Sequence, residues 1–186
     1  MLEYVRADLR RYYSRPDLSL LRRLAVALDF AGFQATAIYR FGRWVERRFA
    51  HPLLLPLKFL LLSFHAGLRL LVRVLLGIDI SRAADIGPGF YIGHFGAVRI
   101  GRCRIGAHCT VNQHTFVGAN SLGESPHIGD RVWIGAHAYV AGAITIEDGA
   151  AVAAGSVVVG DVKGRCLITG NPARVIALDY DNSGLL

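Results

Sequence analysis

Histidine is the side chain best suited to moving protons near neutral pH, and this 186-residue sequence holds seven. His94, in YIGHFGAV, lies fifteen residues after Asp79, in GIDIS. A hydroxyl is too weak an acid to attack an acyl group unaided, so a base must take its proton as the new bond forms. An imidazole titrating near 6.5 suits that task, and a carboxylate can hold its tautomer. His114 and His127 are further candidates, the second in GESPHIGD. His108 and His137 have weaker claims. Residue type alone leaves each of them open to the plainer reading of a solvated turn histidine. Cys103, Cys109 and Cys166 form no CxxC pair, and no secretory pattern opens the chain. The expectation is therefore a reducing cytoplasm, with neither a disulfide framework nor a metal site.

What must position these groups is a six-residue beat of aliphatics. Ile80, Ile86, Ile92 and Val98 keep it, and after a slip of one so do Ile105, Val111 and Val117. An interruption follows, and Ile128, Ile134, Val140, Ile146, Val152 and Val158 resume it. Neither a helix nor a single strand has this period, and fixed self-similarity is read first. Period six predicts a mainly β chain: a parallel β-helix in which three short strands make one eighteen-residue coil. The aliphatic points inward and small residues turn the corners. On this register His114 lies one coil beyond His94 and one position offset, while His127 ends a protruding loop. Gly135 stands over Ala153 and Ala136 over Ala154, a ladder of small residues that leaves a narrow groove and equally suits tight turns.

Residues 1–77 differ in kind. They hold 13 Lys and Arg against 5 Asp and Glu, a balance of +8, whereas the remainder carries −1. No nucleic-acid motif accompanies these cations, so a nucleic-acid partner is not expected. Apolar residues at helical spacing run from about Leu18 to Phe49, broken near Gly32, and Pro52 and Pro56 punctuate the chain. Residues 57–76 are almost continuously apolar, with Lys58, His65, Arg69 and Arg73 falling within about 80° of one another on a helix. Charges so placed disfavour a simple membrane span. Two readings stay open: a helix in the membrane interface with the basic stripe toward lipid phosphates, or one buried between subunits. The expected divisions are a helical region over 1–77, the repeat over 78–176, and a flexible tail over 177–186.

The segment GIDISRAADIGPGFYIGHFGAVRIG resembles the entry coil of the serine O-acetyltransferase branch of hexapeptide-repeat acyltransferases. GFQATAIYRFGRW upstream, and IGAHAYVAGAITI, VAAGSVVVGDV and GNPARVI downstream, are similar to the helix before that repeat and to its last coils. The resemblance covers roughly residues 17–176. It implies a left-handed parallel β-helix assembled as a homotrimer, two trimers being joined through the helical region in serine acetyltransferases. It also implies acetyl-coenzyme A as co-substrate, with His94 as general base and Asp79 as its orienting carboxylate. Ala136, Ala154 and Gly155 are implied as coenzyme contacts, with Lys163 and Arg174 as nearby cations for its phosphates. His114 could donate a hydrogen bond to the acceptor or the oxyanion.

Departures from that pattern bear on the acceptor. The family carries an acidic residue before the base, where this chain has Gly93, and Arg-His before the loop proline, where it has Glu124 and Ser125. An arginine grips a carboxylate through two parallel hydrogen bonds, whereas Glu124 would repel it. Asp17 matches by offset a family residue that meets the amino group. Pro126-His127-Ile128-Gly129 resembles the exopolysaccharide variants of the colanic-acid type. The expectation is thus a sugar or polysaccharide hydroxyl, with lipid-linked precursors at the inner membrane face accounting for a greasy, basic region. L-serine is the alternative acceptor, and a coenzyme-binding scaffold without turnover is the non-enzyme alternative.

Overall fold

The computed structural model describes residues 1–13, 19–94 and 96–186. Four helices come first: α1 (Leu2–Arg10), α2 (Leu20–Asp29), α3 (Ala31–Arg48) and α4 (Leu55–Leu76). Gly77, in the left-handed conformation, ends α4 and hands the chain to the first strand. The break between α2 and α3 falls at Phe30, not at Gly32. Gly32 lies inside α3, where a Cβ would stand 2.6 Å from the Ile92 carbonyl oxygen, so this glycine serves close helix–strand approach.

The rest is a parallel β-solenoid of three walls. The first wall stacks β1 (Ile78–Ile80), β4 (Val98–Ile100), β7 (Phe116–Gly118), β10 (Tyr139–Ala141) and β13 (Val157–Val158). The second holds β2 (Asp85–Ile86), β5 (Arg104–Ile105), β8 (His127–Ile128) and β11 (Thr145–Ile146). The third holds β3 (Tyr91–Ile92), β6 (Thr110–Val111), β9 (Trp133–Ile134), β12 (Ala151–Val152) and β14 (Leu167–Gly170), with β15 (Ala173–Ala177) antiparallel at its end. Each parallel strand sends an aliphatic into a common core, β1 and β4 two apiece, and those of the third wall are almost wholly buried. Strands this short bury too little singly; stacking supplies both the core and the backbone hydrogen bonds.

Register moves the slip. Ile80 pairs with Ile100, and Ile100 with Val117. Val98 instead pairs with Ile78, so it is not the residue that continues the beat. The step from Ile92 to Ile100 is therefore longer than six, and the step from Ile100 to Ile105 shorter. The two extra residues sit in the turn that carries His94. The interruption after Val117 does protrude as a corner loop between β7 and β8.

The helices cap the starting end of the solenoid through a buried ion pair. Asp8 accepts from Arg40 Nε at 2.9 Å and from the Phe90 amide at 2.9 Å, while Arg40 also donates to the Ile86 and Gly87 carbonyls. Tyr12 adds hydrogen bonds to the amide and carbonyl of Ile92. Breaking such a pair leaves a buried charge alone, which costs about 3–5 kcal/mol.

The middle of the basic stripe of α4 faces the protein, while Arg73 stays exposed. His65 is buried against Gly42 of α3, Arg69 donates to Asp79 of β1 at 2.7 Å, and Lys58 is half-buried. Arg69 turns inward because Asp79 supplies its partner, His65 is sealed against α3, and most of the leucines are left outside. The tail also differs from expectation. Asn182 is buried and donates to the carbonyls of Arg131 and Ala150, and the Tyr180 amide donates to Arg165. These bonds tie residues beyond 177 to the corners of the solenoid.

Burial, then the charges of Arg82 and Arg69, hold the His65 pKa below its ordinary 6.5, with Glu46 opposing. The unfolded chain therefore takes up a proton that the folded site resists, and stability falls as pH drops below 6.5 until folded His65 protonates too. Thermal melts between pH 7.5 and 5 should show this loss in the native chain and a shallower one in His65→Gln.

Candidate active site

Each coil turns from the third wall to the first at the same corner, and four turns stack there: the one that carries His94, then residues 112–115, 135–138 and 153–156. His114 and His137 take the left-handed backbone that the turn requires, with φ of 58° and 60°, and Gly155 follows at 71°. Repeated backbone geometry makes their rings parallel neighbours, 4.6 Å between centroids and 8° between planes. His137 had a weak claim from sequence. Its pairing with His114 becomes visible only when the loop after Val117 is counted, because register sets Thr110 of β6 beside Trp133 of β9.

His94 is exposed in the enlarged turn above this stack, and among the described residues its imidazole makes no hydrogen bond. The turn closes over the α4–β1 junction, where a Cβ on Gly77 would stand 2.8 Å from the Ala97 amide. Two residues on, Asp79 points out of the first wall beside Arg99 of β4. One Asp79 oxygen is held by Arg69 of α4. His114 Nε2 lies 3.6 Å from the position of a Cβ on Gly96, so the His114 ring borders the same turn. Asp79, the His94 turn and His114 are thus brought to one corner.

Gly93 has a physical reason. A side chain there would collide with Asn112 Oδ1, and Asn112 is anchored by its own amide to the Ile134 carbonyl at 3.0 Å. The acidic residue expected before the base has no room unless Asn112 moves.

Ala136, Ala154 and Gly155 line the same corner two and three coils along. The Gly155 amide donates to the Ala136 carbonyl at 2.8 Å, and a Cβ on Gly135 would stand 2.6 Å from the Ala154 amide. Such packing leaves a smooth, narrow track of small residues, a shape that suits a pantetheine arm.

Other expected residues lie elsewhere within the chain. His127 and Lys163 share an open groove on the second wall with Thr145, Glu147 and Asp148, because β8 faces outward there. Arg174 is exposed on β15 and donates only to the neighbouring Ala173 carbonyl. Glu124 is exposed in the corner loop but is turned back on it: its carboxylate accepts from Asn120 Nδ2 at 2.8 Å, and Arg102 donates to the adjoining Gly123 carbonyl. Asp17 falls outside the described residues. A cavity of about 550 Å³ lies between α1, α3 and the second wall, lined by Tyr4, Trp44, Arg43, Arg47 and Arg104. None of the corner histidines lines it. Cys103 and Cys109 are buried in the solenoid, and burial pushes both thiols up to about 12, which makes them inert as nucleophiles near neutral pH.

Comparison with known proteins decides the lineage. The family model for the bacterial transferase hexapeptide (six repeats) matches residues 125–160. A serine acetyltransferase of Synechococcus elongatus is 34% identical over 180 residues, covering 95% of this chain and 69% of that protein. The chain belongs to the serine acetyltransferase family of hexapeptide-repeat transferases. It is an acyltransferase of the acetyl-coenzyme A-using kind. A serine acetyltransferase of Mycobacterium tuberculosis is 30% identical over 188 residues, covering 99% of this chain and 77% of that one. The soybean serine acetyltransferase complexed with serine superposes with a TM-score of 0.74 at 30% identity, across 93% of this chain and 68% of that one. Two plant relatives are matched over only about half their length. The relatives are named for serine, so the exopolysaccharide variant expected from the Pro-His-Ile-Gly stretch finds no counterpart among them.

Proposed function

We propose that this chain transfers the acetyl group of acetyl-coenzyme A to the hydroxyl of L-serine, with His94 as general base and Asp79 as the carboxylate that orients it. The supporting observation is the corner itself: an accessible imidazole in an enlarged turn, set against the wall that carries Asp79 and above a track of small residues. His94 takes the hydroxyl proton as the oxygen attacks the thioester carbonyl. The tetrahedral intermediate then collapses, the carbon–sulfur bond breaks, and the leaving thiolate takes the proton back from the imidazolium. In this reading His114, with His137 stacked on it, donates a hydrogen bond to the oxyanion. Ala136, Ala154 and Gly155 flank the arm of the coenzyme. Arg69 is a positioning residue: it fixes one oxygen of Asp79 and leaves the other for the imidazole.

Three copies complete the site in this reading. On the first wall Phe116 stacks on Tyr139 with centroids 5.0 Å apart, and Tyr139 remains exposed. Such an apolar outer column suits packing about a threefold axis. The loop carrying Glu124 would then meet a neighbour's His94 corner.

A sugar hydroxyl is the second reading, and two observations favour it. Glu124 occupies the loop where an arginine would clamp a carboxylate, and Gly93 has no acid to offer a substrate amine. A coenzyme-release assay against L-serine and a panel of sugars decides between them: turnover of L-serine is expected, and turnover of sugars alone would replace it as acceptor. His94→Ala should lower kcat/KM about 10²–10⁴-fold with an unchanged melting temperature; near-native turnover would remove His94 from the mechanism. In Arg69→Gln the cation beside Asp79 is lost, the imidazolium is better stabilised, and the acidic limb of the kcat/KM profile should move to higher pH. Arg69→Lys should keep the limb near its native position.

A further inference from the structure

We infer that the outer face of α4 docks on the surface of an anionic lipid bilayer. The inference is independent of which acceptor is used. His65 and Arg69 turn toward α3 and β1 and Lys58 is half-buried, so the exposed arc of the helix spans about 200° at 100° per residue. That arc runs from Leu55 to Leu75, and only Ser63 and Arg73 interrupt its apolar and small residues. Phe59, Phe64 and Leu75 are 76%, 60% and 72% exposed. α2 adds a second stripe, with Leu20, Leu21, Leu24 and Leu28 exposed within about 100° of one another. An apolar surface this continuous on a folded chain marks an interaction site.

Charge and shape select the occupant. The region that bears the face carries a balance of +8. Exposed Arg73 stands at the margin of the α4 face, and Arg22 is exposed on α2. A second copy would bring the same positive charge against itself, whereas anionic headgroups are complementary to it. A single partner helix packs along one stripe, but a helix immersed sideways in a bilayer covers a broad arc at once. At 22 residues the helix is about 33 Å long, and lying flat it buries its whole apolar length. The inward cations then belong to the fold, and the rim arginines meet the phosphates. This reverses the orientation that the sequence pattern suggested.

Flotation of the purified full chain tests the inference with two kinds of vesicle, phosphatidylcholine alone and phosphatidylcholine mixed with phosphatidylglycerol. Co-flotation with the anionic vesicles is expected, falling at least fivefold with neutral vesicles or in high salt. Phe64→Ser/Leu71→Ser should reduce it about tenfold, without changing the molar mass in light scattering. Should that variant fold poorly, Arg73→Glu alters only an exposed charge and should weaken anionic flotation severalfold. A chain that stays at the bottom of the gradient with every vesicle overturns the inference. So does a native mass that falls in Phe64→Ser/Leu71→Ser, for the face would then be a contact between copies. Coenzyme release measured on the same preparations reports separately on the catalytic proposal.

Discussion

The requirement that every parallel strand send an aliphatic into a common prism governs the rest of this structure. Each strand is two to five residues long, so it is stable only when its inward side chain and backbone bonds match the coils on either side. A residue added within a strand would turn the inward side chain outward. Length can therefore change only at corners. Two extra residues enlarge the His94 turn, and five extend the loop that carries Glu124. Both changes leave Ile80, Ile100, Val117 and Val140 in register. The walls preserve the fold while the corners are free to carry chemistry.

The helical cap follows from the same constraint. A stack of coils needs its first coil covered, since the polar backbone at its end has no neighbour. Arg40 and Asp8 provide that cover by satisfying the Ile86 and Gly87 carbonyls and the Phe90 amide. Arg69 extends the arrangement to Asp79, so α4 both seals the first wall and holds a carboxylate of the candidate site. The result is a helix whose polar side is spent on the protein and whose leucines remain outside. Fold, site and exposed face are three consequences of one docking geometry.

The acceptor question turns on side chains whose meaning changed once their surroundings were visible. Gly93 reads in sequence as a lost acid; in the structure it is the space that Asn112 Oδ1 needs. Glu124 reads as a charge aimed at the substrate; in the structure it closes its own loop on Asn120. The repulsion that argued against a carboxylate substrate is weakened accordingly, and the relatives named for serine weigh more.

Sequence alone determined the solenoid, because a sixfold aliphatic period has one economical way to bury itself. It also set apart the basic, helical region and, through family motifs, nominated His94 with Asp79 and the small-residue track at Ala136, Ala154 and Gly155. Only the tertiary structure decided where the period slips, since Val98 and Ile100 are both aliphatic and both buried, and pairing chose Ile100. It alone stacked His137 on His114, because the loop between β7 and β8 lengthens their separation in sequence beyond one regular coil. It separated His127 and Lys163 from the corner, since wall and corner cannot be told apart without register. It turned His65 and Arg69 of the α4 stripe inward, because a helical wheel shows which residues share a face but not what that face meets.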